Sequence, residues 1–137
     1  MCVPGRDLLG EAFALIIAQL ISREGIPARS EQSDALSISR IVSLDTQNVE
    51  LICLCFVGGA SAARVSYATR RLRRRMPKAL IMLSLIGSSD ELIAEYKSSA
   101  GLEAVQHTLV ETRDEIVKMV NHFDATIRNP SVLPAPG

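Results

Sequence analysis

Two apolar segments of strand length constrain this chain more than any other feature. The first runs from Val49 to Val57 with the sequence VELICLCFV, and the second runs from Ala79 to Ile86. Glycine follows each segment and ends it. A strand that is apolar at successive positions is covered on both faces, as the strands of a parallel sheet are. The two segments therefore predict buried strands with helices packed on either side.

Helices are predicted between the strands. The first runs from about Asp7 to Glu24, where Gly25 and Pro27 break it. Its apolar residues recur at three- and four-residue spacing and form one stripe, which consists of Leu9, Phe13, Ile16, Ile17 and Leu20. Further helices are predicted over residues 35–44, 61–75, 90–100 and 109–127, and shorter strands over residues 2–3, 28–32 and 103–107.

The resulting order is a strand followed by a helix, repeated five times. It predicts a three-layer α/β fold of the flavodoxin-like type, with a five-stranded parallel sheet in the order 2-1-3-4-5. Residues 1–128 form the domain, and residues 129–137, with three prolines, are expected to be a disordered tail. The first strand is central in this order but very short, so we expect the chain to be part of a longer one.

The composition limits which partners are expected for this chain and in which cellular compartment it is expected to reside. Fifteen basic residues balance fifteen acidic ones, and no aromatic residues interleave with the arginines, so nucleic acid is not an expected partner. Three cysteines make a poor disulfide framework, and Cys53 and Cys55 are expected to be small core residues rather than a metal pair. No signal peptide or membrane span is visible. We expect a soluble cytoplasmic chain without a metal or a cofactor.

Ligands of parallel α/β sheets bind at the carboxyl ends of the strands. A phosphoacceptor receiver needs an Asp after the third strand and a Lys after the fifth, and the sequence has neither. A flavin site needs hydroxyl groups in the loop after the first strand, and the segment Pro4 to Gly10 contains none. A cobalamin domain has Asp-x-His-x-x-Gly there. Gly10 matches the final glycine of that motif, but Asp7 replaces the His that would ligate cobalt.

The same loop is a candidate anion site because it leads into a helix N-terminus. Free backbone N–H groups and the helix dipole favour anions there, and Arg6 adds a charge-assisted contact. Asp7 adds negative charge at the same place and is better explained as the helix cap. The candidate ligand- or anion-binding residues are Gly5, Arg6 and Asp7, together with Gly58, Gly59 and Ser61 after the next buried strand.

A run of arginines lies near the end of the predicted helix over residues 61–75. One interpretation is a solvated face whose charge complements the helix dipole. The functional interpretations are contact with anionic lipid headgroups or with a protein partner. This basic patch consists of Arg70, Arg71, Arg73, Arg74 and Arg75.

Two stretches carry a family resemblance. In the opening, the strand remnant is followed by Gly-Arg and by a helix that ends before Gly-Ile-x-Ala-Arg. Later come Leu44-Asp45-Thr46, an apolar strand, a small-residue turn, the motif Tyr-x-x-Arg-Arg-Leu-Arg-Arg-Arg from Tyr67, and then a proline and another apolar strand. Residues 2–120 thereby resemble the C-terminal cytoplasmic domain of bacterial permeases of the autoinducer-2 exporter-like family. The resemblance implies attachment to an upstream permease and carries over no catalytic residue.

The sequence contains no pattern that supports a catalytic site. His107 and His122 are far apart, and no Ser or Cys with a neighbouring motif pairs with either. We therefore expect a non-enzymatic cytosolic regulatory or interaction domain, attached to a membrane permease. Its expected partners are the permease, an anionic membrane surface or a second copy of the chain. The alternative is a small-molecule-binding domain, nucleotide- or cobalamin-like, without the cobalt-ligating His.

Overall fold

The computed structural model describes residues 1–58, 60–98 and 101–128. These residues form a parallel sheet of four strands in the order β1-β2-β3-β4. The two apolar segments of the sequence are its central pair, β2 and β3, which confirms them as buried neighbours. The strands are β1 at Cys2–Pro4, β2 at Leu51–Val57, β3 at Leu80–Ile86 and β4 at Ala104–Gln106.

Five helices accompany the strands within the described ranges. They are α1 at Leu8–Arg23, α2 at Ile38–Ile41, α3 at Ala62–Arg75, α4 at Asp90–Lys97 and α5 at Leu109–Arg128. A side-chain oxygen of the preceding residue caps each of the first four helices, because it accepts a backbone N–H of the first turn. The predicted long helices are confirmed, whereas α2 is much shorter than the predicted segment over residues 35–44.

The two faces of the sheet have different cores. Helices α2, α3 and α4 cover one face, toward which β2 points Ile52, Leu54 and Phe56. Helices α1 and α5 cover the other, toward which β2 points Cys53 and Cys55. Both cysteines are buried as predicted. The chain is therefore a three-layer α/β structure in which alternate residues of one strand serve opposite cores.

The predicted strand over residues 28–32 is reduced to one bridge. Ser30 pairs in parallel with Cys2, at the edge of β1 opposite β2. The prediction of five strands is therefore wrong. Its physical reason is that the polar residues around Ser30 favour a strand only weakly, and that β1 offers just three residues for pairing.

The apolar stripe predicted for α1 coincides with its buried face only in part, because Ile17 is fully buried whereas two other members are exposed. Leu9 is 61% exposed and Ile16 is 40% exposed. The buried side combines three small residues with two isoleucines, namely Gly10, Ala14, Ile17, Ala18 and Ile21. Because α1 is apolar around most of its circumference, residue spacing alone does not specify which side faces the sheet.

Two sequence predictions concern membrane-spanning segments and the C-terminal tail. Across the described ranges, every helix is either too short or too polar to cross a bilayer. The tail predicted over residues 129–137 lies outside the residues that the structure describes.

Candidate functional site

A cleft opens at the carboxyl ends of β1 and β2. The chain leaves β1 toward α1 on one face of the sheet and leaves β2 toward α3 on the other. Neighbouring parallel strands with this arrangement leave a crevice between their ends, and α/β proteins bind ligands in such crevices. The cleft has a volume of about 370 Å³, which is within the usual range of small-molecule sites.

The floor of the cleft is apolar and depends on Gly5. The ring of Phe56, at the end of β2, lies against the loop that follows β1. A Cβ atom at position 5 would lie 2.6 Å from Cδ1 of this ring, so only glycine fits without displacing it. The N–H group of Gly5 donates a 2.7 Å hydrogen bond to the carbonyl of Cys55, which holds the loop at the strand end. Pro4 and Leu36 extend the apolar surface.

Two arginines, Arg6 and Arg64, stand at the rim of the cleft. Both are exposed, and neither guanidinium group has a hydrogen bond or ion pair with any described residue. Cζ of Arg64 lies 5.7 Å from the centroid of the Phe56 ring, in a cation–π contact that keeps its charge above the floor. Tyr67 adds a hydroxyl group, which accepts a hydrogen bond from Arg71 and retains its own proton for donation.

The N-terminus of α3 adds positive potential beside the cleft. Helices α1, α4 and α5 have acidic residues in their first turns, whereas the first turn of α3 has none and contains Arg64. A cation at a helix N-terminus is unfavourable by about 0.3–1 kcal/mol. A bound anion would convert this repulsion into attraction.

The predicted residues of the β1–α1 loop take two different roles. Gly5 and Arg6 line the cleft. Asp7 caps α1, because its Oδ1 accepts a hydrogen bond from the N–H group of Gly10. The capping interpretation of Asp7 is thus confirmed, while ligand binding by Gly5 and Arg6 stays a prediction.

The predicted residues after β2 lie outside the lining of the cleft. Gly58 turns toward the next strand, and its N–H group donates to the carbonyl of Ile86 at 2.9 Å. Ser61 caps α3 by accepting the N–H group of Arg64 at 3.3 Å. Gly59 is outside the described residues. Of the two described residues, Ser61 is the one that can affect the cleft, because it caps α3.

Arg73 braces the end of α3 against two strands. It donates to the carbonyl of Ala79 at 2.6 Å and to that of Gly101 at 3.0 Å. It also lies 3.5 Å from the carboxylate of Glu103, whose other oxygen accepts the N–H group of Ile81 at 2.6 Å. This arginine therefore connects α3 with the beginnings of β3 and β4.

Arg75 performs a similar task toward α2. Its guanidinium group donates to the carbonyls of Ile41 and Leu44, each at 3.2 Å. These carbonyls lie at and just after the end of α2, where the carbonyl of Ile41 also accepts a 3.4 Å hydrogen bond from the N–H group of Leu44. Arg75 thus adds hydrogen bonds at the end of this short helix.

Of the other arginines of the run, Arg70 and Arg74 are exposed, and Arg71 is half-buried. Arg71 stacks on Tyr67, with Cζ 5.0 Å from the ring centroid. Arg70 reaches only the carbonyl of Ser66, at 3.4 Å, and Arg74 has no hydrogen bond or ion pair within the described ranges. The predicted basic patch is therefore divided between bracing arginines and exposed ones.

Titratable groups cluster away from the cleft. His107, at the end of β4, lies 3.3 Å from Asp90 and 3.5 Å from Glu111. The pKa of Cys2 is well above its ordinary value, because its thiol is hydrogen-bonded to Cys53 and is buried. Among the described residues, no group of three or more His, Cys, Asp or Glu side chains could hold a metal ion.

Sequence reasoning missed three residues of the cleft: Phe56, Arg64 and Tyr67. Phe56 is the one aromatic residue of β2 and β3, but the continuous apolar pattern assigned it to the core. A usable signal existed for Arg64, since a basic residue in a first helical turn without acidic residues opposes the helix dipole.

The side chains of the cleft are suited to binding an anion. Guanidinium groups bind phosphate and carboxylate, and the described residues that line the cleft include no carboxylate, imidazole or thiol. Compared with protein-family models, with curated proteins and with solved structures, the chain has no match.

Proposed function

We propose that this chain is a non-catalytic binding domain that recognises a small anionic molecule in the cleft between β1 and β2. The observation that carries the proposal is an apolar floor beneath two arginines, Arg6 and Arg64, that have no partner among the described residues. Such an arrangement leaves two positive charges available at the position where α/β sheets bind their ligands.

The chemistry of the cleft selects a class of ligand. Arginine pairs with phosphate or carboxylate through two parallel hydrogen bonds. The Phe56 ring and Leu36 offer a surface for a planar or aliphatic group. We therefore expect a small phosphate or carboxylate compound with an apolar body, bound with its charge at the rim and its body on the floor.

We further propose that the sheet is a flavodoxin-like arrangement whose second strand has shrunk to the bridge at Ser30. Support comes from the position of that bridge at the edge of β1 opposite β2. The order 2-1-3-4-5 places a second strand there, with β2, β3 and β4 as the third, fourth and fifth strands. The cleft then lies at the point where the strand order reverses, which is the expected ligand position.

Calorimetric titration with phenyl phosphate tests the proposed site. This compound combines a phosphate with a planar apolar body, so it should bind more tightly than inorganic phosphate or phenol. Replacement of Arg64 by glutamine should weaken binding about tenfold or more, because a hydrogen bond to a charged group contributes about 1.5–3 kcal/mol.

Arg74→Gln is the matched control. It removes the same charge from the same helix, at an exposed position outside the cleft. It should leave the affinity for phenyl phosphate unchanged. Equal losses in Arg64→Gln and Arg74→Gln would show a general charge effect, and no binding of any of the three compounds would refute the proposal.

The second candidate function is that of the cytoplasmic end of a permease, held against anionic lipid. Arg70 and Arg74 favour it, because both are exposed and lie one helical turn apart. Arginines near an anionic surface contribute about 1 kcal/mol each. The chain should then cosediment with phosphatidylserine vesicles at low salt, and an Arg70→Gln, Arg74→Gln double variant should not. Failure of the unaltered chain to cosediment would exclude this function.

A further inference from the structure

The polar side chains of the cleft share one property, because each of them can donate a hydrogen bond. Arg6 and Arg64 carry donors only, since a guanidinium group has no acceptor atom. The hydroxyl group of Tyr67 accepts from Arg71 and keeps its own proton for a ligand. A ligand that satisfies these three side chains therefore has to offer acceptor atoms to them.

Acceptors for a ligand's own donors are missing from the described side chains that line the cleft. Apart from the two arginines and Tyr67, the lining residues are glycine, proline, alanine, leucine and phenylalanine. None of these side chains has a polar atom. The carbonyl of Cys55, at the end of β2, already accepts the N–H group of Gly5 at 2.7 Å. A hydroxyl or amino group placed on the floor would therefore give up its hydrogen bonds to water without gaining a side-chain partner.

The floor is part of the folded core. Phe56 and Leu36 both belong to the cluster of buried residues on the α3 side of the sheet. The Phe56 ring also lies between the loop at Gly5 and the guanidinium group of Arg64. Because these contacts hold the floor in place, a ligand meets an apolar surface that the surrounding packing keeps apolar.

We propose that the cleft selects ligands whose body carries no hydrogen-bond donors. This inference rests on the proposed function, and it narrows the ligand to a phosphate or carboxylate on an aryl or alkyl group. Sugar phosphates and nucleotides are rejected, because their hydroxyl and amino groups would remain unpaired on the floor. The selection thus depends on the floor, while the arginines attract all of these anions alike.

The expected discrimination is moderate. An apolar pocket rejects a ligand that merely adds a hydroxyl group by up to about a hundredfold. A donor left unpaired weakens binding by about tenfold, and several hydroxyl groups on one ring leave at least one of them facing the floor. We therefore expect sugar-like phosphates to bind between about tenfold and a hundredfold more weakly than apolar ones.

Calorimetric titration with cyclohexyl phosphate and inositol monophosphate tests the inference. The two compounds share a six-membered carbon ring and a phosphate, and they differ only in the hydroxyl groups on the ring. Cyclohexyl phosphate should bind about as tightly as phenyl phosphate, and inositol monophosphate at least about tenfold more weakly. Equal affinities for the two compounds would overturn the inference and leave anion binding intact. If neither these compounds nor phenyl phosphate bound, the proposed function would fail as well.

A variant that adds an acceptor tests the cause of the discrimination. Ala63 lines the cleft at an exposed position of α3, so asparagine there adds a carbonyl acceptor without disturbing the core. Ala63→Asn should reduce the preference for cyclohexyl phosphate over inositol monophosphate by about threefold or more.

Ala62→Asn is the matched control. It introduces the same side chain at the preceding exposed position, which is outside the lining of the cleft. It should leave the preference for cyclohexyl phosphate unchanged. If both variants kept the preference of the unaltered chain, the lack of acceptors would not be its cause and the inference would be overturned.

Discussion

Helices α1 and α3 cover opposite faces of one sheet and are built in opposite ways. Helix α3 turns Val65, Ala68 and Leu72 toward the sheet and most of its arginines outward. Helix α1 buries Gly10, Ala14 and Ala18 together with Ile17 and Ile21, and it leaves other large apolar side chains exposed. The difference teaches that the hydrophobicity of a helix does not determine which side is buried. Helix α3 also lines the cleft and connects to its neighbours, while α1 leaves large apolar side chains exposed.

Truncation of one leucine in each helix is the strongest test of this comparison. Leu72 of α3 is fully buried, whereas Leu15 of α1 is 50% exposed. Leu72→Ala should lower the free energy of unfolding by about 2–5 kcal/mol, because it leaves a cavity. Leu15→Ala should change it by about 0.5 kcal/mol or less. Urea denaturation at low protein concentration measures both, and losses of equal size would contradict the assigned orientation of α1.

Two arginines of α3 differ in whether they connect this helix to its neighbours. Arg73 donates hydrogen bonds to the carbonyls of Ala79 and Gly101, whereas Arg74 makes no such contact with the described residues. Arg73→Ala should therefore lower the free energy of unfolding by about 1–3 kcal/mol, because the carbonyl of buried Ala79 loses its charged donor. Arg74→Ala should change it by about 0.5 kcal/mol at most. A stable Arg73→Ala variant would show that Arg73 does not brace α3.

Because of the buried thiols on the sheet face that α1 covers, we expect the free energy of unfolding to depend on pH. The pKa of Cys2 is raised by its hydrogen bond to Cys53 and by burial. The pKa of Cys53 is also raised, because contact with Cys55 and burial together outweigh the opposing hydrogen bond from Cys2. Unfolded thiols ionise near pH 8.5, so above that pH the unfolded chain binds fewer protons than the folded one.

The free energy of unfolding should therefore fall as the pH rises above about 8.5, by up to about 1.4 kcal/mol per pH unit for each of these two thiols. Denaturation between pH 7.5 and 9.5 measures this slope. A Cys2→Ala, Cys53→Ala double variant should lose most of it. An unchanged slope in the double variant would show that other groups cause the loss of stability.

The sequence predicts the buried side of α3 better than it predicts the buried side of α1. In α3, charged and apolar residues segregate, so the sequence pattern indicates the buried side with Val65, Ala68 and Leu72. In α1, both sides are apolar, and the spacing of Leu9 and Ile16 is helical without indicating burial. The strands β2 and β3 were predictable because each is apolar on both faces, while the polar segment around Ser30 was overestimated.

Only part of the candidate site could be predicted from the sequence, for a related reason. The rule that ligands bind at the carboxyl ends of strands led to Gly5 and Arg6. Phe56 and Arg64 reach the same cleft from β2 and α3, and sequence spacing does not reveal such a meeting. The position of the cleft depends on the two helices leaving the sheet on opposite faces, which is a property of the fold.

Anion binding in the cleft is the central claim, and a titration followed by nuclear magnetic resonance tests it most directly. A ¹⁵N-labelled chain would be titrated with phenyl phosphate while each backbone amide signal is monitored. The predicted result is concentration-dependent shifts at Gly5, Arg64 and Tyr67, with the signals of Leu15 and Arg74 unchanged. Shifts confined to the outer side of α3 around Arg74, with the cleft amides unmoved, would contradict the claim.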